Sequence, residues 1–135
     1  MADKNTLTVT LRGDGWGRPG GAGCVYLLHA AIDAGTSGRL YHTYKIGQTT
    51  QASIAPRIFA AQRAIGEKVT LLHTIETNHV RWAERWLHDH LAEQRVVREW
   101  FELGDTDLAW LQGIYRITAE WRAEQTLPHL AWGWR

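Results

Sequence analysis

The chain opens with alternating polar and apolar residues and continues into two mostly apolar segments. Residues 6–11 (TLTVTL) alternate strictly, which is typical of a half-buried strand, and a glycine-rich stretch over residues 12–23 follows. Residues 24–31 are mostly apolar, as expected for a buried strand, and residues 40–47 form a second strand-like segment. The polar residues 33–39 between them favour a turn, so the sequence predicts a β-hairpin.

Downstream of the hairpin, the apolar residues change to helical spacing. Ser53 is a candidate N-cap, and Pro56 lies early in the first turn of the first predicted helix. The apolar face of this helix is built by residues three or four positions apart: Ile54, Ile58, Ala61 and Ile65. Residues 69–75 are rich in β-forming side chains and predict a third strand.

Two further helices are predicted in the second half of the chain. Asn78 can cap a helix that runs to about Gln94, and Asp105 or Thr106 can cap another that runs to about Glu124. The order of elements predicts an α/β (α+β) fold, with a small, mainly antiparallel three-stranded sheet flanked by helices, plus a C-terminal helix.

Length and hydrophobic content suit one domain, because 135 residues with 44% hydrophobic side chains can bury a core of their own. Residues 1–22 are predicted to form a strand and a glycine-rich lead-in, and residues 23–104 the central domain. Residues 105–135 are predicted to form a C-terminal helix and a tryptophan-rich tail that pack on that domain.

Composition narrows the class of protein. The single cysteine, Cys24, cannot form an internal disulfide, and the N-terminal residues lack a basic segment followed by an apolar run. No stretch approaches the length needed to span a bilayer, so we expect a cytoplasmic protein that does not enter a membrane. The formal net charge of +1 gives no sign of a polyanionic partner, so charge must be judged locally.

The chain contains eight tryptophans, and most of them lie toward its C-terminal end: Trp100, Trp110, Trp121, Trp132 and Trp134. Packing is the ordinary role of such residues, and stacking on nucleic-acid bases is the alternative for one or two of them. Four residues on the third predicted helix form an apolar stripe: Trp110, Ile114, Ile117 and Trp121. This stripe can cover Trp82 and Trp86 within the chain, or contact a partner protein or a second copy in a homodimer.

Glu84 interrupts the apolar face of the second predicted helix, which consists of Val80, Ala83, Leu87 and Leu91. A carboxylate directed toward the core is costly unless it meets a cation, so Glu84 is expected to contact either a metal ion or an arginine. His88 lies one turn further on the edge of the same face. It can ligate a metal, transfer a proton, or serve only as a structural partner of Glu84.

The predicted hairpin places three tyrosines and a lysine near a turn that ends in Gly47: Tyr26, Tyr41, Tyr44 and Lys45. Strand alternation puts Tyr44 and Lys45 on opposite faces, so only one of them can line a given site. Arg57, in the first predicted helix, can bind a phosphate with two parallel hydrogen bonds, although an ordinary surface arginine is the alternative.

Several of these segments together resemble a known family. Gly23-Cys24-Val25-Tyr26 is similar to the first half-motif of the GIY-YIG nucleases, and Tyr44-Lys45-Ile46-Gly47 is similar to the second in its KIG form. Further similar segments follow in the same order: Ser53 to Ile58, Ala83-Glu84, Leu87-His88 and Glu99-Trp100-Phe101. Residues 24–103 therefore resemble the phage-associated branch of this superfamily. No residue clearly matches the polar residue that often follows the metal-binding helix in the family, and Glu99 is a candidate for that position or for a structural role.

The resemblance implies a metal-dependent endonuclease that hydrolyses phosphodiester bonds in nucleic acid, with DNA favoured over RNA as the substrate. Glu84 would bind one Mg²⁺ or Mn²⁺ ion, and Tyr26 would be the general base that activates water. Arg57 would hold the phosphate, and Lys45 would point toward Tyr26 and lower its pKa.

The roles of Tyr44 and His88 stay open, and so do two alternative functions. Tyr44 would pack against a helix if Lys45 faces the site, or would be catalytic if the strand faces are exchanged. His88 would orient Glu84 or Tyr26. The alternative functions are a nucleic-acid-binding module that has lost turnover and a protein-interaction module that uses the tryptophan-rich C-terminal region.

Overall fold

A computed structural model describes residues 5–33 and 38–122. The strands are Thr6–Arg12 (β1), Gly23–Asp33 (β2), Leu40–Thr49 (β3), Thr70–Thr77 (β4), Arg95–Val97 (β5), Trp100–Phe101 (β6) and Arg116–Arg122 (β7). The helices are Ala55–Ile65 (α1), Val80–His90 (α2) and Asp105–Gln112 (α3), with a short 3₁₀ turn at Ala92–Gln94.

All seven strands form one sheet in the order β1-β7-β4-β2-β3-β6-β5. Neighbouring strands are antiparallel except at β7, which runs parallel to both β1 and β4. The predicted α+β class is confirmed, but the prediction of a three-stranded sheet is wrong. Of the four predicted strands, β2, β3 and β4 form its centre, and the N-terminal strand β1 lies at one edge beside β7. On the other side, β6 and β5 extend the sheet.

The third predicted helix is much shorter than expected. It ends at Gln112, and residues predicted to continue it form β7 instead. Ile117 and Ala119 are fully buried and alternate with more exposed residues, which is strand periodicity on a sheet with one covered face. The apolar stripe proposed for a partner protein or homodimer therefore does not lie on one helix. The tail with Trp132 and Trp134 lies outside the described residues.

The second helix also differs at both ends. It ends at His90 rather than near Gln94, and its N-cap is His79 rather than Asn78. The Asn78 side chain instead donates to the carbonyl of Ala119 at 3.0 Å and accepts from its N–H at 2.9 Å, which ties the end of β4 to β7. Backbone carbonyls from the glycine-rich stretch accept the first N–H groups of α2: Val80 donates to Gly21 at 2.8 Å.

Helices cover both faces of the sheet. On one face, α1 packs through Ala61 against Tyr26, Leu28 and Ala30. On the other face, α2 and α3 pack against a larger core that includes Val25, Leu27, Ile46 and Phe101. Within the described residues, none of the helices combines the length and the apolarity needed to cross a membrane. Successive residues of β2 and β3 thus enter different cores, which decides which side chains can meet at the end of the hairpin.

Candidate active site

Tyr26 is held at the end of the hairpin by a glycine on the neighbouring strand. It lies directly opposite Gly47, and its ring crosses the α-carbon of Gly47 so closely that an added Cβ would overlap the ring and the hydroxyl. Gly23, three residues before Tyr26, is needed for a related reason, because a Cβ there would overlap the carbonyl of Thr49 and the side chain of Val80. Gly47 therefore makes room for the Tyr26 ring, and Gly23 lets the start of β2 lie close to the end of β3 and to α2.

The strand register places Lys45 on the same face of the sheet as Tyr26. Lys45 pairs with Leu28, two residues beyond Tyr26, and its ammonium lies 3.6 Å from a carboxylate oxygen of Glu99. Tyr44 points to the opposite face, where it is buried in the core beneath α2 and contacts the ring of His29. Of the two candidates on β3, the lysine is therefore the one on the side of Tyr26.

Glu84 is half-buried on α2, at the edge of the surface that packs on the sheet. Burial, and then the nearby Glu99 carboxylate, raise the pKa of Glu84 to about 7, although Lys45, Arg95 and Arg57 act to lower it. Among the residues that the structure describes, no ion pair reaches its carboxylate, so Arg57 is not its structural partner. Two carboxylates thus lie close together at this site, near the cations Lys45, Arg95 and Arg57.

The phenol of Tyr26 is strongly disfavoured as an anion in the metal-free protein. Burial, followed by the charge of Glu99, raises the pKa of Tyr26 to about 12, and Glu84 adds to this effect. Arg57 is the cation that acts to lower it, whereas Lys45, expected to do so, lies against Glu99. Neutralising the two carboxylates would therefore make proton removal from Tyr26 easier, although burial is the main cause of its raised pKa.

His88 joins α2 to β3 through both of its ring nitrogens. Nε2 lies 2.8 Å from the carbonyl oxygen of Ile46, and Nδ1 lies 2.6 Å from the guanidinium of Arg95. The tautomer that satisfies both contacts donates from Nε2 and accepts at Nδ1. Burial lowers the pKa of His88, which favours this neutral form. Both ring nitrogens of His88 are thus engaged by other protein groups.

The backbone of Ile46 is the junction around which the site is assembled. Its carbonyl accepts from His88, and its N–H donates to the carbonyl of Glu99 at 3.1 Å. The first bond fixes α2, which carries Glu84 one turn earlier, and the second fixes the segment before β6. Glu84 and Glu99 thus reach the same end of β3 from different elements.

Sequence reasoning missed Arg95 and left the role of Glu99 open. Arg95 begins β5, contacts His88, and places its guanidinium 5.6 Å from the centre of the Phe101 ring. No local pattern marks it, since it reaches the site only because β5 folds back on β6. Glu99 carried one signal, its position at the head of the Glu-Trp-Phe segment.

The donor set suits a hard divalent cation better than a metal enclosed by protein ligands. In the parts of the chain that are described, no three or more His, Cys, Asp and Glu side chains form a group able to hold a metal ion. A Zn²⁺ cage is therefore not built from these residues. Mg²⁺ commonly uses one or two carboxylates and keeps water and phosphate oxygens as its other ligands, which fits Glu84 with Glu99 nearby.

The comparison with family models identifies one match. The model of the T5orf172 domain, a phage-associated domain related to GIY-YIG/HNH-like nucleases, matches residues 23–122. The matched range includes every residue of the site described above and excludes β1 and most of the glycine-rich stretch. Searches of the curated proteins and of the solved structures returned no significant match.

Proposed function

Because this chain belongs to the T5orf172 domain family, we propose that it is a metal-dependent endonuclease that hydrolyses phosphodiester bonds in DNA. The observation that carries the proposal is the meeting of a buried phenol, an unpaired carboxylate and an arginine at one end of the hairpin. These groups, Tyr26, Glu84 and Arg57, interact electrostatically although they lie on three different elements.

Each of the three groups has a separate role in the proposed reaction. Glu84 holds one Mg²⁺ or Mn²⁺ ion, which when bound stabilises the negative charge that develops on the phosphate and the leaving oxygen. Arg57 binds the phosphate and supports the same charge. Tyr26, once its own phenolic proton has passed to solvent, accepts a proton from the attacking water as the phenolate. Since the charge of Glu84 helps to raise the pKa of Tyr26, neutralising that carboxylate makes the phenol easier to deprotonate.

The second candidate function is a nucleic-acid-binding module without turnover, and the Tyr26 pKa of about 12 in the metal-free protein is what favours it. Incubation of the purified chain with supercoiled plasmid separates the two functions. We expect nicking with Mg²⁺ or Mn²⁺, none with EDTA, and none from Glu84→Ala. Plasmid binding without nicking at any metal concentration would support the binding module instead.

The strand register predicts opposite outcomes for neighbouring residues on β3. Lys45→Ala is expected to reduce cleavage and to move the activity profile to higher pH. The reason is that Lys45 acts to lower the pKa of Glu84 and pairs with Glu99. Tyr44→Phe is expected to keep cleavage, since its ring lies in the opposite core. Rates measured from pH 6 to 9 test both variants, and the reverse pattern would mean that Tyr44 is the catalytic residue.

A conservative change tests the phosphate contact. Arg57→Lys keeps the positive charge but loses the planar pair of donors, so we expect cleavage to fall by about tenfold or more. Arg63→Lys is the matched control, because Arg63 lies on the same helix and is also exposed. Single-turnover rates at saturating protein measure the effect. A fully active Arg57→Lys variant would leave only a general electrostatic role for this residue.

A further inference from the structure

The glycine-rich strap, residues 12–21, lies entirely outside the family match, and side chains hold it in place. Trp82 donates from its indole nitrogen to the carbonyl of Gly17 at 3.1 Å, and Trp121 donates to that of Gly13 at 2.7 Å. Trp16, within the strap, donates to the carbonyl of Arg12 at 3.1 Å. The hydrogen bonds from Trp82 and Trp121 attach the strap to α2 and β7, so it is an ordered part of the fold.

An arginine on α2 completes the attachment. Arg85 donates to the carbonyl of Gly15, and its guanidinium lies 4.7 Å from the centre of the Trp16 ring. This geometry is a cation–π contact, which holds Trp16 against the helix. Trp16 and the strap carbonyls are thus fixed relative to α2, the helix that carries Glu84.

Between the strap, α2 and β7 lies an open cavity of about 310 Å³, here called the indole pocket. Its aromatic lining comes from Trp16, Trp82 and Trp121, and Asp14 is the acidic residue that lines it. The remaining lining is glycine, and a Cβ at Gly13, Gly15 or Gly17 would meet nothing within 4 Å. The strap side of the pocket therefore offers bare backbone and open space. Trp121 is 43% exposed, so part of its ring is accessible from solvent.

The pocket lies across α2 from the proposed active site. At about 100° per residue, Trp82 projects nearly opposite Glu84, and exposed Arg81 and Arg85 project between them on the outer surface. A helix is roughly 10–12 Å across, so a short length of chain can connect the two sides. The route from Glu84 to the indoles crosses two arginines.

The chemistry of the pocket fits a flat ring attached to a negatively charged backbone. Indoles stack on such rings, and four arginines lie in or next to the strap and on this part of α2: Arg12, Arg18, Arg81 and Arg85. A quaternary ammonium ion also binds indoles, but the guanidinium of Arg85 already occupies one face of Trp16 and would repel it.

We propose that the indole pocket binds an unpaired base of a single-stranded nucleic-acid segment whose backbone crosses Arg81 and Arg85 toward the active site. The choice of nucleic acid as ligand rests on the proposed nuclease function, and the proposal adds that the substrate has a single-stranded part. A duplex cannot fill the pocket, because its bases are stacked on each other and paired.

Binding is measured without cleavage, by fluorescence anisotropy of a labelled single-stranded DNA and of the matching duplex in EDTA. We expect Trp121→Ala to weaken single-strand binding by about tenfold and to leave duplex binding unchanged. Trp121→Phe should keep most of the affinity, since it retains an aromatic face while losing the bond to Gly13. Phe59→Ala is the control, because Phe59 is an exposed aromatic residue on α1, across the sheet.

Four results would overturn the proposal. Two concern the unmodified chain: it does not bind the single strand, or tetramethylammonium displaces the strand. The other two concern the variants: Trp121→Ala keeps its single-strand affinity, or Trp121→Ala and Trp121→Phe lose equal amounts, which would mean that Trp121 only anchors the strap. Because the assay contains no metal, it is independent of plasmid nicking. If the chain fails to nick plasmid but Trp121→Ala still weakens single-strand binding, the proposed nuclease function is wrong and the proposed role of the indole pocket stands.

Discussion

Glu84→Gln is expected to lower metal-dependent cleavage by about 10³-fold, because a bound divalent cation supplies several kcal/mol of charge stabilisation and glutamine is a poor ligand for it. The same change is expected to make the metal-free protein more stable at pH 8. Gln has the size of the protonated carboxyl and carries no charge, so it removes a half-buried anion that no described residue pairs. Loss of activity would thus accompany a gain in stability.

The shifted pKa of Glu84 determines how the stability change caused by Glu84→Gln depends on pH. The pKa of Glu84 is about 7 in the folded chain, against its ordinary value of 4.5. Between these values the folded state binds more protons than the unfolded state, so stability falls as pH rises through the window. The cost above pH 7 is about 1–3 kcal/mol after allowance for partial exposure. Glutamine avoids it, so the variant should match the parent at pH 4 and exceed it at pH 8.

Two measurements test this prediction. Thermal unfolding in EDTA at pH 4 and pH 8 measures stability, and calorimetric titration with Mn²⁺ measures metal binding. Glu93→Gln is the matched control, because Glu93 is an exposed glutamate just beyond α2. A Glu84→Gln protein that is less stable at pH 8, or that still binds Mn²⁺ and cleaves, would contradict the assignment of Glu84 as the metal ligand.

Tyr26→Phe is expected to reduce cleavage by about 10²–10⁴-fold, the usual loss when a general base is removed. The ring that crosses Gly47 remains, so the fold should be retained. Tyr41→Phe is the control, since Tyr41 lies far along the same hairpin and its hydroxyl interacts with Glu102. Both variants are compared at equal folded fraction. Equal losses would show that Tyr26 is a packing residue.

The pH profile provides a second test of Tyr26. Because its pKa is raised to about 12, the phenolate is scarce at neutral pH and increases with every unit of pH. The rate of the unmodified chain should therefore rise by up to about tenfold per unit between pH 7 and 9, and this slope should vanish in Tyr26→Phe. A flat profile in the unmodified chain would point to a base other than Tyr26.

Local patterns predicted the strands β1 to β4 but missed β7. The hairpin of β2 and β3 and the helix marked by Pro56 were recognisable, because their signals lie within a few residues of each other. The segment after Gly113 was not, since Ile114, Ile117 and Trp121 repeat at helical spacing, and the strand spacing of Ile117 and Ala119 covers only two buried positions. Its partner β1 is distant in sequence, and no local pattern reveals that pairing.

The candidate site was likewise predictable only in part. Tyr26, Lys45 and Glu84 could be singled out from motif order and from the position of one carboxylate on an apolar helix face. The contacts of these residues with other charged groups could not be predicted. Lys45 lies against Glu99, and Arg95 contacts His88, only because the short β5–β6 hairpin folds back on the site. The strands of this hairpin are too brief to leave a periodic signal in the sequence.

The pairing of β1 with β7 sets an order for events during synthesis. Thr10 and Glu120, whose side chains bond across this pair, are 110 positions apart. At about 5–20 residues per second, β1 leaves the ribosome roughly 6–20 s before its partner exists. The hairpin and α2 can assemble in that interval, but the indole pocket needs Trp121 from β7. A nascent chain would therefore complete the candidate active site first and the indole pocket last.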